Sequence, residues 1–116
     1  MTEEADEYRD RALRDLQARF GCRVVGCTLG ERGAVVMSQG IYAETEALPV
    51  PGGVRDTTGA GDAFHAGFIY GLLTGEDSEA TLRLASAVAA LKCREPGARR
   101  GLPTSRELRD YLRTLG

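Results

Sequence analysis

The stretch Asp56-Thr57-Thr58-Gly59-Ala60-Gly61-Asp62-Ala63-Phe64 decides how this sequence is interpreted. It carries a segment broken by proline and glycine directly into a predicted helix over residues 62–74. Small side chains leave the backbone N–H groups uncovered, and the start of a helix adds partial positive charge. This combination favours the binding of an anion, most often a phosphate group.

Two familiar phosphate-binding loops do not match this stretch. A Walker A loop needs lysine after its last glycine, whereas Asp62 follows Gly61 and the only lysine is Lys92. The dinucleotide-binding fingerprint needs a third glycine where this sequence has Phe64. Two carboxylates, those of Asp56 and Asp62, bracket the loop. A carboxylate repels phosphate but can take a proton from an attacking hydroxyl, so Asp62 is a candidate general base for phosphoryl transfer to an alcohol.

Each candidate residue also has a plainer structural interpretation. An aspartate at position 62 suits a helix N-cap, and one at position 56 suits an Asx turn. Gly30 and Gly33 fit an ordinary β-turn. His65, one turn into the predicted helix, is expected to be an ordinary helical residue.

The first half of the chain predicts a helix followed by three strands. Residues 3–20 have the spacing of an amphipathic helix, which ends before Gly21. The β-rich run 23–28 alternates little, which is typical of a strand buried on both faces in a parallel sheet. Residues 34–38 and 41–45 then predict a hairpin around Gln39-Gly40.

The second half predicts three helices. After the helix over residues 62–74, whose small residues would let a neighbour approach closely, Asp77 and Ser78 can cap a helix over residues 79–92. The run Thr104-Ser105-Arg106-Glu107 matches a capping box and opens a last helix. The apolar face of that helix contains four residues: Leu108, Tyr111, Leu112 and Leu115.

Composition limits the function classes. The 116 residues carry a formal net charge of −2, so the basic surface of a nucleic-acid-binding protein is absent. No apolar run approaches the roughly 20 residues of a membrane span, and the acidic first residues do not resemble a secretory signal. Three cysteines cannot pair completely. We therefore expect a cytoplasmic protein that binds neither nucleic acid nor membrane.

Three motifs together resemble the ribokinase-like (PfkB) carbohydrate kinases. The stretch from Asp56 to Phe68 looks like the second signature of that family. Thr28-Leu29-Gly30-Glu31-Arg32-Gly33 resembles its T-L-G-x-x-G nucleotide motif, at the right distance upstream. Pro96-Gly97-Ala98, after an alanine-rich helix, resembles its loop beside the adenine and a monovalent cation. Three motifs in the right order are far more specific than one glycine loop.

The resemblance implies a role for individual residues. Asp62 would deprotonate the sugar hydroxyl, and the N–H groups of Gly59, Ala60 and Gly61 would form the anion hole. The carbonyl of Thr58 and the side chain of Asp56 would help to hold a K⁺-like cation, and Mg²⁺ would accompany the ATP. The implied nucleotide-binding positions are Thr28, Gly30, Gly33, Ser86 and Gly97. Ser86 stands where the family often has asparagine.

The resemblance also implies the fold and its extent. We expect an α/β fold, the C-terminal part of a three-layer α/β/α sandwich in which the later helices pack on one side of the sheet. Residues 1–116 would form a single partial domain. The family's N-terminal half, which supplies further strands, the lid and most sugar contacts, has no counterpart. A sheet without those strands exposes an open edge and apolar surface, which predicts a homodimer.

Two functions follow as hypotheses. The first is an ATP-dependent kinase of a small sugar or sugar acid, or the nucleotide-binding C-terminal part of such a kinase. The second is a catalytically incomplete nucleotide-binding or structural fragment, which needs a partner or is a decayed paralogue. Nucleotide binding without turnover would distinguish the second from the first.

Overall fold

The computed structural model describes residues 3–38 and 41–115 and contains four helices and three strands within them. The predicted hairpin turn Gln39-Gly40 lies outside the described residues. The elements, in chain order, are α1 (Glu3–Phe20), β1 (Val24–Thr28), a single 3₁₀ turn (Gly30–Arg32), β2 (Ala34–Ser38), β3 (Ile41–Thr45), α2 (Ala60–Leu73), α3 (Ser78–Lys92) and α4 (Ser105–Thr114).

Strand β2 is the central strand of the sheet. It pairs antiparallel with β1 on one side and with β3 on the other. Because successive side chains of a strand point to opposite faces, β2 contributes to two clusters. Val35 and Met37 pack with Leu13 of α1, whereas Val36 packs with Leu82 of α3. Helices therefore cover both faces of the sheet, which confirms the expected α/β/α layers.

The prediction for the first strand was wrong in one respect. The run 23–28 was expected to be buried on both faces of a parallel sheet, but β1 is antiparallel to β2 and only partly buried. Gly26 and Thr28 are exposed. The reason is position: β1 forms an edge of the described sheet, while the equally apolar β2 lies between two strands.

Helices α2 and α3 approach each other closely through small residues, as predicted. A Cβ placed on Gly67 would lie 2.8 Å from the Cα of Ala85. One placed on Gly71 would lie 2.8 Å from the Oγ1 of Thr81. Real Cβ atoms need more room, so both positions require glycine at the present separation of the helices.

Helix α4 packs against α3. The capping box is present, with Thr104 accepting from the N–H of Glu107 and the Glu107 carboxylate accepting from the N–H of Thr104. Tyr111 packs against Leu91, and its hydroxyl donates to the carbonyl of Pro49. All four residues of the predicted apolar face take part in this cluster. Among the described helices, none is long and apolar enough to cross a membrane.

We predict that Gly67→Ala destabilises the protein by about 1–3 kcal/mol, the usual cost of forcing a methyl group into a packed interface. Gly61→Ala is the matched control, because it changes the same residue type in the same helix with no atom within 4 Å of the new Cβ. The control should leave the free energy of unfolding unchanged or raise it slightly. Urea unfolding followed by circular dichroism measures both, and equal effects would contradict the packing argument.

Candidate active site at the start of helix α2

Helix α2 begins two residues earlier than the sequence predicted. Its N-cap is Gly59, whose φ of 75° is left-handed and suits glycine. Asp62 is therefore the third helical residue, and the N-cap interpretation of Asp62 was wrong. The Asp62 side chain is exposed, and within the described residues it has no hydrogen-bond or ion-pair partner. Its carboxylate is free to act on a bound molecule.

The turn before α2 keeps backbone donors open. The N–H of Ala60, one of the three predicted anion-hole donors, is taken by the carbonyl of Thr57 at 3.0 Å. In contrast, the N–H groups of Gly59 and Gly61 pair with no acceptor in the described part of the chain, and the same holds for Asp62. Open donors at a helix start, together with the helix dipole, suit a phosphate oxygen.

The side chain of Asp56 ties the turn to a distant loop. Its Oδ1 accepts from the backbone N–H of Thr58 at 3.0 Å and from the Thr58 hydroxyl at 2.7 Å. Its Oδ2 accepts from the N–H of Gly97 at 2.8 Å. The bond from the Thr58 hydroxyl is the largest of the causes that hold the pKa of Asp56 well below its usual range. The predicted Asx turn at Asp56 is thus confirmed, and the same carboxylate also reaches the Gly97 loop.

A second contact joins the turn before α2 to the loop that contains Gly97. A Cβ on Gly59 would lie 2.9 Å from the Cβ of Ala98, so the residue after Gly97 lies directly against the turn. The backbone N–H of Arg55 also donates to the carbonyl of Cys93 at 2.8 Å. The loop that precedes α2 and the loop that follows α3 therefore form one joined structure.

A cavity of about 560 Å³ lies beside this joint. Thr28, at the end of β1, and Gly30 and Gly33, from the turn that follows, line it together with Gly61 and Ser86. Its volume is in the range usual for small-molecule sites. The structure therefore brings four of the five predicted nucleotide-binding residues to the start of α2. The predicted residues outside its lining are Gly59, Asp62, Gly97, Asp56 and Thr58.

Gly33 shows why the first motif needs glycine. Its φ of 100° is outside the range of most side chains, and a Cβ there would collide with the carbonyl of Thr45. The N–H of Leu29 donates to the carbonyl of Gly33 at 2.7 Å, which closes the turn. Instead of the single β-turn considered for it, the segment contains the 3₁₀ turn Gly30–Arg32, with the N–H of Arg32 donating to the carbonyl of Leu29 at 3.1 Å and the N–H of Gly33 to the carbonyl of Gly30 at 3.1 Å.

Sequence reasoning missed several residues that line the cavity. Two of these residues, Ala89 and Ala90, share one face of α3 with Ser86 at spacings of three and four, and Cys93, the C-cap of α3, lies on the same side seven residues from Ser86. That spacing was a usable signal once Ser86 had been identified. The others, Leu48, Val50 and Val54, belong to a stretch interrupted by proline and glycine, where no periodicity marks the inward side.

Comparison with known proteins identifies the family. The sequence profile described as "pfkB family carbohydrate kinase" matches residues 1–105. This chain belongs to that family. A sugar kinase of Archaeoglobus fulgidus, itself described as uncharacterized, is 43% identical over 101 residues, which cover 87% of this chain and 39% of the archaeal protein. This member of the pfkB family thus spans about two fifths of that relative.

Solved structures agree with the family and the fold. A protein of E. coli described as a putative ribokinase II, in its apo form, superposes with a TM-score of 0.81 at 28% identity; the match covers 90% of this chain and 33% of that one. Ribokinase of Arabidopsis thaliana, complexed with ribose and ATP, gives a TM-score of 0.73 at 33% identity, covering 78% and 29%. The α/β fold of this pfkB-family chain is therefore that of part of a ribokinase.

The lowered pKa of Asp56 predicts a pH-dependent contribution to stability. Because the folded-state pKa lies below the unfolded value of about 4, the contribution is present above that pH and is lost as the pH falls towards the folded-state value. Asp56→Asn turns one acceptor into a donor that faces an N–H group. We expect this variant to be less stable than wild type at pH 7, with the difference narrowing below about pH 4.

Urea unfolding between pH 3 and pH 7 measures this difference. Asp15→Asn is the control, since Asp15 is an exposed aspartate whose ion pair with Arg19 lies on the surface of α1. A difference for Asp56→Asn that stays constant down to pH 3 would rule out the carboxylate as its source.

Proposed function

We propose that this chain binds ATP and serves phosphoryl transfer from ATP to the hydroxyl of a small sugar or sugar acid. The observation that carries the proposal is the shared cavity at the start of α2. One cavity receives the turn Thr28–Gly33, Ser86 of α3 and the open donor of Gly61, although these residues are distant in the sequence.

The cavity suits a nucleotide on chemical grounds. Its walls combine apolar side chains, among them Val50 and Phe64, with small residues that admit a flat ring. The open N–H groups of Gly59 and Gly61 would hold phosphate oxygens, and the helix dipole would favour their negative charge. The ATP in the structure of Arabidopsis ribokinase supports this choice of ligand.

Mg²⁺ would enter with the nucleotide. Among residues 3–38 and 41–115, no three His, Cys, Asp or Glu side chains cluster in a way that could hold a metal ion. Mg²⁺ usually retains several waters and takes its remaining ligands from phosphates and one or two carboxylates. The phosphates of ATP would therefore provide most of the Mg²⁺ ligands that are not water, and the ion would neutralise the charge of the phosphates.

Asp62 would act as the general base. Its carboxylate is exposed and unpaired within the described residues, one position after the open N–H of Gly61. A sugar hydroxyl that donates to this carboxylate would lose its proton as it attacks the γ-phosphoryl group. The Gly59 and Gly61 donors would meanwhile stabilise the charge that develops on the transferred group.

A second candidate is nucleotide binding without turnover by this chain alone. The observation that favours it is coverage: the chain spans 39% of the archaeal sugar kinase and 33% of the E. coli structure. Under this candidate, residues 1–116 form a single partial domain that associates as a homodimer. The exposed apolar side chains of Ile69, Leu73 and Phe20 support association of this chain with a protein partner, such as a second copy of itself.

We predict that the purified chain binds Mg-ATP in calorimetric titration and that Ala89→Leu weakens binding at least tenfold. The leucine side chain would fill space in the cavity next to Ser86. Ala66→Leu is the matched control, because Ala66 is exposed on α2 and does not line the cavity. Equal affinities for both variants would contradict the placement of ATP in this cavity.

For turnover, we predict that Asp62→Asn lowers the rate of sugar-dependent ADP formation by about 10²–10⁴-fold, the usual contribution of a general base. The affinity for ATP should fall by less than threefold or rise, because the substitution removes a negative charge. Asp77→Asn is the control, since Asp77 caps α3 and asparagine caps equally well. ATP binding with no turnover by wild type on any sugar would favour the second candidate.

A further inference from the structure

Lys92 is the only lysine of the chain and is completely buried at the end of α3. A buried ammonium is costly unless its hydrogen bonds are satisfied. The Nζ of Lys92 donates to the carbonyl of Asp56 at 2.8 Å and reaches the carbonyl of Glu95 at 3.4 Å. It thus binds two main-chain oxygens from two different loops, as a small cation would.

These two loops build the proposed site. Asp56 lies three residues before the N-cap Gly59, and Glu95 lies two residues before Gly97. The carboxylate of Asp56 joins the same loops a second time, by accepting from the N–H of Gly97 at 2.8 Å. Lys92 therefore occupies the centre of the joint on which the position of the open donors depends.

The monovalent cation implied by the family resemblance does not fit this arrangement. Of the two donors implied for it, the Asp56 carboxylate and the Thr58 carbonyl, the carboxylate already accepts from two groups of Thr58 and from the N–H of Gly97. The neighbouring carbonyls of Asp56 and Glu95 are held by the Lys92 ammonium. A second positive charge in the same joint would be repelled by that ammonium.

We propose that Lys92 is a positioning residue whose ammonium takes the place of an added monovalent cation, so that ATP binding by this chain is independent of K⁺. The inference rests on the proposed function only where ATP affinity is measured; the thermal midpoints do not depend on it. Lys92 is not among the residues that line the cavity, and it acts through the loops that hold the turn before α2.

The first experiment compares wild type in KCl and in tetramethylammonium chloride at equal ionic strength. Tetramethylammonium is too large to enter the joint. We expect the Kd for Mg-ATP to agree within twofold and the thermal midpoints to agree within 1 °C. An affinity at least tenfold higher in KCl would overturn the proposal.

The second experiment removes the ammonium in two ways. Lys92→Ala leaves a space beside the two carbonyls, whereas Lys92→Met fills the space with an uncharged stem. In tetramethylammonium chloride both should bind ATP at least tenfold more weakly than wild type. Adding KCl or methylammonium should restore at least half of the lost thermal midpoint to Lys92→Ala and none to Lys92→Met. A purely structural role of the side chain would not produce this difference.

Controls separate this inference from the proposed function. Arg83→Met removes an exposed positive charge from the same helix and should change neither the midpoint nor the affinity. Failure of wild type to bind ATP in any salt overturns the proposed function, and the thermal midpoints then decide the role of Lys92. The proposed role of Lys92 is overturned if neither cation rescues Lys92→Ala, or if Lys92→Met binds ATP with wild-type affinity. If Lys92→Ala does not fold in tetramethylammonium, folding in KCl supports the proposal and failure in both overturns it.

Discussion

The start of α2 depends on a joint between two loops that are far apart in the sequence. The carboxylate of Asp56 accepts from the N–H of Gly97, 41 residues further along the chain, and the Lys92 ammonium donates to the carbonyl of Asp56. A glycine-rich turn has little intrinsic preference for one conformation, so bonds from outside must select it. Here those bonds are made by charged groups, which form stronger hydrogen bonds than neutral ones.

The sheet provides the second constraint, and here sequence patterns were only partly sufficient. They predicted the helices, the strands and the hairpin because amphipathic spacing and turn residues act locally. They did not predict that β2 rather than β1 is buried on both faces, because the two runs are similarly apolar. Burial of a strand depends on its neighbours in the sheet, and that information is not contained in the strand itself.

The site was predictable to a similar degree and for similar reasons. Motifs identified Thr28, Gly33 and Ser86, which the fold brings to one cavity. They did not reveal that α2 begins at Ala60, because a left-handed Gly59 can replace a side-chain cap. Nor did they reveal Lys92: a lysine at the end of an apolar helix is ordinarily explained by the helix dipole and solvent exposure. Only its complete burial against two carbonyls distinguishes it.

Helix stability explains only part of the arrangement around Asp62 at the start of α2. A carboxylate in the first turn of a helix is favoured by the dipole, and this effect requires only a negative charge near the N-terminus. The dipole does not require that the carboxylate lack a partner or that neighbouring N–H groups remain open. Both conditions hold at Asp62 and Gly61 within the described residues. An exposed carboxylate next to uncommitted donors is the arrangement that proton removal and anion stabilisation would need together, and helix stability alone gives no reason for it.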